Sequence, residues 1–69
     1  MRIEKNNEKV LNELATIYFN LEMYWESIFY YEKLITVSNV NPWIYANLGW
    51  AYHKIQAEEK AIYYFEKSL

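Results

Sequence analysis

Tyr45-Ala46-Asn47-Leu48-Gly49-Trp50-Ala51-Tyr52, followed at a short distance by Ala61-Ile62-Tyr63-Tyr64-Phe65, is the stretch that organises this chain. Leu48 and Tyr52 are one helical turn apart, as are Ala61 and Phe65, so each segment presents one apolar face. The same pattern stands 34 positions earlier. Leu14 matches Leu48, Tyr18 matches Tyr52, Ile28 matches Ile62, Tyr30 matches Tyr64, Glu32 matches Glu66, Lys33 matches Lys67 and Asn7 matches Asn41. Between these identities most pairs swap like for like, as in Val10/Ile44, Leu21/Ile55 and Tyr31/Phe65. A fixed period of this length marks a stacked repeat, in which each unit buries its apolar face only against a neighbour. A binding scaffold is therefore expected, and no enzyme.

Helix starts and stops are legible four times. Asn7 reads as an N-cap for a first helix ending about Asn20, with Val10, Leu11, Leu14, Ile17, Tyr18 and Leu21 on one face. A turn at about Leu21 to Tyr24 leads into a second helix, from Tyr24 or Trp25 to Val37, which stops at Ser38-Asn39-Val40-Asn41. Asn41-Pro42 opens the third helix, with Asn as cap and Pro at the first helical position, where its missing N–H costs nothing. That helix runs to about Ile55, and after a turn at Gln56-Ala57 the fourth begins about Glu58. Turns this short make successive helices antiparallel. The predicted fold is all-α: two tandem antiparallel helix-turn-helix repeats, a fragment of α-solenoid. Residues 1–69 form one domain, with repeat one at about 8–41 and a truncated repeat two at about 42–69. Leu14 and Tyr18 should face Ser27 and Tyr31, and Leu48, Gly49 and Tyr52 should face Ala61 and Phe65. Gly costs about 1 kcal/mol relative to Ala inside a helix, so Gly49 marks a place where the partner helix leaves no room for a Cβ. Ala15 fills that slot in the first copy.

The second copy resembles the tetratricopeptide repeat, whose pattern is W-x2-L-G-x2-Y, then A-x3-F and a closing Pro. Only the Trp is changed, to Tyr45. The first copy matches through Leu11, Leu14, Ala15, Tyr18, Ser27 and Tyr31, keeping size and placement more than identity. Asn39 replaces the closing Pro, and Glu22 and Gln56 stand in the turns where the family often has Gly. The resemblance covers essentially the whole chain and implies protein–protein interaction, with a peptide or helix of a partner cradled on the wall made by the first helix of each pair. That wall would consist of Lys9, Asn12, Thr16, Phe19 and Asn20 from copy one, and Trp43, Ala46, Asn47, Trp50, His53 and Lys54 from copy two. The family's clamp for a C-terminal carboxylate fits poorly. Asn47 matches one clamp Asn, but Asn12 and Thr16 stand where the first copy would need Lys and Asn.

Composition narrows the partners. The chain has 69 residues, close to the lower limit for a self-sufficient core, and is 54% hydrophobic and 20% aromatic with one Gly and one Pro. A net charge of −2 and a pI near 5.3 lack the basic footprint of a nucleic-acid binder. Single-stranded RNA recognition, as in the related pentatricopeptide repeats, is a remote alternative that the acidic balance and the Leu48-Gly49, Tyr52, Ala61, Phe65 pattern oppose. There is no Cys, so neither disulfides nor thiolate metal sites are possible, and the redox compartment is left open. No apolar segment suits a signal peptide or a membrane span, which makes a cytoplasmic address the default.

Aromatic residues in surplus of the core need a reading. On helix three, Trp43, Ala46, Trp50 and His53 form a stripe beyond the faces that contact its own partner and its neighbour, and a helix apolar on nearly every side is expected to be buried all round. Trp43 and Trp50 read either as anchors for a partner in the inner groove or as residues covered by repeat packing or by a further segment of the parent chain. On helix two, Trp25 and Phe29 are expected to stack as an i, i+4 pair, the alternative being a contact between chains. His53 has no second ligand at useful spacing and reads as a hydrogen-bonding group at the groove edge, with no metal. Glu58-Glu59-Lys60 reads as a helix start whose acids suit the dipole. No phosphate loop or nucleophile–base set appears, so neither cofactor nor catalytic residue is assigned.

The repeat phase runs to both termini. Ile3 to Asn7 aligns with Val37 to Asn41, as if a preceding helix ended there, and Leu69 aligns with Ile35, which leaves the last helix short and without a polar cap. The chain thus reads as a piece of a longer array. Exposed Ile62, Phe65 and Leu69 suggest self-association: stacking end to end, pairing groove to groove, or helix exchange. This homo-oligomeric, purely architectural role is the alternative to a separate protein ligand.

Overall fold

The computed structural model describes residues 8–37 and 42–69, so the expected caps Asn7 and Asn41, and the loop at 38–41, lie outside the described residues. Among the described residues four helices follow one another: α1 (Glu8–Asn20), α2 (Tyr24–Val37), α3 (Pro42–Lys54) and α4 (Glu58–Lys67). No strand occurs among the described residues. α1 packs on α2 and α3 on α4, and α2 joins the two hairpins by packing on α3. The body measures 14 Å in its thinnest direction, which is one helix pair across. Each hairpin can therefore be covered only by the next one along the stack.

Both turns close in the same way. Glu22 and Gln56 take positive φ, at 63° and 68°. After α1, the amide of Met23 donates to Tyr18 O (2.8 Å) and that of Glu22 to Phe19 O (3.1 Å). After α3, Ala57 donates to Tyr52 O (2.8 Å) and Gln56 to His53 O (2.9 Å). This crossed pair of bonds is the Schellman termination, which satisfies the last carbonyls of a helix but needs a left-handed residue. Ile55 is consequently the residue that caps α3, one position beyond its last helical residue. Glu22 and Gln56 hold the left-handed place that a glycine adopts without steric cost.

Within each hairpin, small residues fix how closely the helices approach. A Cβ on Gly49 would meet Phe65 Cδ1 at 2.8 Å and Ala61 O at 3.0 Å, so the space is already filled. In copy one, Ser27 is fully buried beside Ala15 and its hydroxyl donates to Ala15 O at 3.0 Å. Ser27 thereby enters the core without an orphaned polar group. Tyr18 stacks on Tyr30 with centroids 5.8 Å apart, and Tyr52 on Tyr64 at 5.7 Å, the rings within 5° and 4° of parallel. Lys33 lies over the Phe29 ring and Lys67 over that of Tyr63, at 5.0 and 5.1 Å. Tyrosine stacks and i, i+4 cation–π pairs thus account for Tyr18/Tyr52, Tyr30/Tyr64 and Lys33/Lys67 as repeated identities.

The seam between hairpins is the best-buried part. Ile28, Tyr31 and Leu34 of α2 and Ile44, Leu48, Ala51 and Tyr52 of α3 are all buried. The Tyr52 hydroxyl donates to Glu32 Oε2 across it. Burial first, then the Glu32 hydrogen bond and charge, raise the Tyr52 phenol well above its ordinary range. Tyr64 is raised too, by burial and then by the Glu32 charge. Both phenols are thereby held in the neutral form.

Candidate functional site

Expected burial of α3 on all sides is not what the structure shows. Ile44, Leu48, Gly49, Ala51 and Tyr52 are buried, yet Trp43 and Trp50 are each 43% exposed. One hairpin pair has only its own partner helix and one neighbour to offer, and the third side of α3 faces outward. That side and the matching side of α1 form one wall.

At the middle of this wall a buried tyrosine bridges the two helices. Tyr31 comes from α2, but its hydroxyl lies 3.2 Å from Thr16 Oγ1 on α1 and accepts from Asn47 Nδ2 on α3 at 3.0 Å. Thr16 in turn donates to Asn12 Oδ1 at 3.4 Å. A single direction satisfies every link: Asn47 donates to Tyr31, Tyr31 to Thr16, and Thr16 to Asn12. Trp43 packs edge-on against Tyr31 with centroids 6.5 Å apart, and Phe19 does so from the other side at 6.4 Å while also meeting Tyr24 at 5.7 Å. Asn12, Thr16, Phe19, Trp43 and Asn47 are therefore one contiguous set.

A second set lies one turn further along α3. The Trp50 ring leans on His53, centroids 5.6 Å apart, and the Lys54 ammonium sits 5.1 Å above it. His53 Nδ1 is 3.1 Å from both carboxylate oxygens of Glu58, across the turn to α4. An imidazolium would form an exposed ion pair there, worth little by itself but enough to set the ring's orientation. Lys9 and Asn20 are exposed near the two ends of α1, and Ala46 is half-buried on α3. None of these three joins either set through a side-chain bond.

Sequence reasoning missed three features. Tyr31 was expected only as core; the signal was its hydroxyl, absent from Phe65 in the equivalent slot. Glu58 was expected only as a helix-start acid, and it faces His53 across a five-residue separation that spans a turn. Trp25 and Phe29 do not stack on each other. The Phe29 ring instead packs edge-on against Tyr30 at 5.0 Å beneath Lys33, while Trp25 and Phe29 together border a cleft of about 380 Å³ between α2 and the second turn, shared with Glu32, Tyr52 and Lys60. Tyr52, Ile55, Ala57 and Lys60 of the second hairpin close the far side of this cleft.

Among the described residues, no group of three or more His, Cys, Asp or Glu stands close enough to hold a metal ion. No described helix is long and apolar enough to cross a membrane. No characterised protein and no solved structure matches the chain. The sequence profile of the tetratricopeptide repeat does, twice, over residues 8–41 and 44–69. Two profile matches in tandem, each coinciding with one of the antiparallel hairpins, place this chain in the tetratricopeptide repeat family.

Proposed function

We infer that this chain works as tetratricopeptide repeats generally do, as a non-catalytic scaffold for protein–protein interaction. We propose that this chain binds an extended peptide or a helix of a partner protein along the α1/α3 wall. Trp43 and Trp50 act as apolar anchors, and Asn12, Thr16 and Asn47 supply hydrogen bonds between them. Lys9, Asn20, His53 and Lys54 form the polar rim, with Phe19 and Ala46 as apolar floor. The observation that carries this reading is the half-open state of the two tryptophans, 43% exposed each beside a wired polar centre. Covering what remains open is worth roughly 2–3 kcal/mol per ring at about 25 cal/mol per Å². Polar atoms flanked by aromatic anchors suit a peptide backbone, whose own donors and acceptors need partners once water is excluded.

The experiment is selection of peptides from a random display library on the wild-type chain, followed by binding to Trp43→Ala, Trp50→Ala and Trp25→Ala. Each of the first two should weaken binding by about thirtyfold or more, as expected for hot-spot tryptophans, and Trp25→Ala should bind as wild type. Peptides that bind all three variants equally, or that depend on Trp25 alone, would contradict the assignment of the wall.

A further inference from the structure

The chain carries a second copy of both halves of its own seam, and the two halves lie at opposite ends of the body. The α3 side of the seam includes Leu48 and Tyr52, with Ile55 just past the helix, and the α2 side includes Ile28, Glu32 and Leu34. Leu14 and Tyr18 on α1 and Leu21 just past it stand in the places of the first set, and Ile62 and Glu66 on α4 and Ser68 just past it in those of the second. Four of these are identities, including the hydrogen-bonded pair: Tyr18 stands for Tyr52 and Glu66 for Glu32. Among the described residues, the Tyr18 hydroxyl and the Glu66 carboxylate have no hydrogen-bond partner, whereas Tyr52 and Glu32 bond to each other. Ile17 and Ile62 are more than half exposed.

From this we infer that the α4 face of one chain docks on the α1 face of a second copy, reproducing the α2/α3 seam between molecules. Glu66 of one copy accepts the Tyr18 hydroxyl of the next. The substitutions elsewhere are compatible with it. Phe65 stands where Tyr31 stands in the seam, so Glu13 in the place of Asn47 leaves no buried hydroxyl without its donor. Ile17 for Ala51 adds volume and Ser68 for Leu34 removes it, which keeps the total close to that of the seam. The contact is head-to-tail, so it does not close on two copies, and each addition leaves a fresh end. This surface is separate from the α1/α3 wall and stands or falls independently of peptide binding.

Sedimentation equilibrium of the full chain from micromolar to millimolar concentration tests it. The weight-average mass should rise past that of a dimer without a plateau. Ile17→Lys blocks the head and Ile62→Lys the tail; each alone should stay monomeric, with helical circular dichroism and thermal unfolding like the wild type because both positions are solvent-facing. Mixed together, the two should form one-to-one dimers and nothing larger, since one intact head and one intact tail remain. The milder Tyr18→Phe and Glu66→Gln should each weaken assembly by about fivefold without touching the core, a typical loss for one hydrogen bond. A wild-type chain that is monomeric throughout, one that stops at a dimer, or variants that assemble as the wild type would each overturn the inference, as would a mixture that stays monomeric.

Discussion

The two hairpins follow one repeat pattern and yet have opposite burial. In the first, the second helix is the buried one: Ile28 is 5% exposed, and Tyr31 and Leu34 are closed off with it. In the second, the first helix is buried, with Leu48 at 0%, while Ile62, identical to Ile28, is 56% exposed. Leu14, identical to Leu48, is only half-buried. Identity is held constant across these pairs, so the difference comes from the neighbour. A hairpin of this kind has no core of its own on its outer sides, and stability concentrates in the seam where two hairpins touch.

The largest expected effect separates Leu48 from Leu14. Leu48→Ala should cost about 2–5 kcal/mol in urea unfolding, as for a fully buried leucine, and Leu14→Ala should cost less than half of that. Equal losses would break the comparison. Next comes the close contact in the second hairpin. Gly49→Ala should destabilise by about 1 kcal/mol, since the clash with Phe65 and the Ala61 carbonyl outweighs the gain in helix propensity. Ala15→Gly in the first hairpin should cost about the same for the opposite reason, a loss of propensity without any clash. An increase in melting temperature for Gly49→Ala would show that the helices can part without cost.

Smaller effects sharpen the likeness of the turns. Glu22→Gly and Gln56→Gly should each stabilise by up to about 1 kcal/mol by relieving the left-handed backbone, offset by the greater freedom of glycine in the unfolded chain. Similar gains at both turns would confirm that they close alike. Smallest is the alkaline response of the seam. Tyr52 and Tyr64 titrate higher when folded than their ordinary value of 10.0, so the unfolded chain loses those protons first as pH rises. Their contribution is intact below about pH 10 and declines above it. Tyr52→Phe should flatten that decline, measured as urea midpoint against pH.

The fold was legible because its determinants are periodic and local. Val37 as the end of α2, Pro42 as the start of α3 and Gly49 as the closest approach all follow from spacing and from backbone chemistry. The site was legible only in part. Which residues face the wall follows from helical phase, and Asn12, Thr16, Asn47 and Trp43 do come together. What joins them is Tyr31, which belongs to another helix and reaches the wall only through tertiary packing. His53–Glu58 spans a turn, and the Trp25–Phe29 cleft needs the second hairpin for its far side. Exposure of Trp43 and Trp50 was undecidable from the text, since it depends on how many neighbours α3 has.

Amide hydrogen exchange at a concentration where the chain is monomeric reads the central claim residue by residue. Protection should be highest in α2 from Ile28 to Leu34 and in α3 from Ile44 to Tyr52, and should fall off in α1 and α4 although they occupy equivalent places in the repeat. Uniform protection across the four helices, or α1 and α4 outlasting α2 and α3, would contradict the placing of stability in the seam.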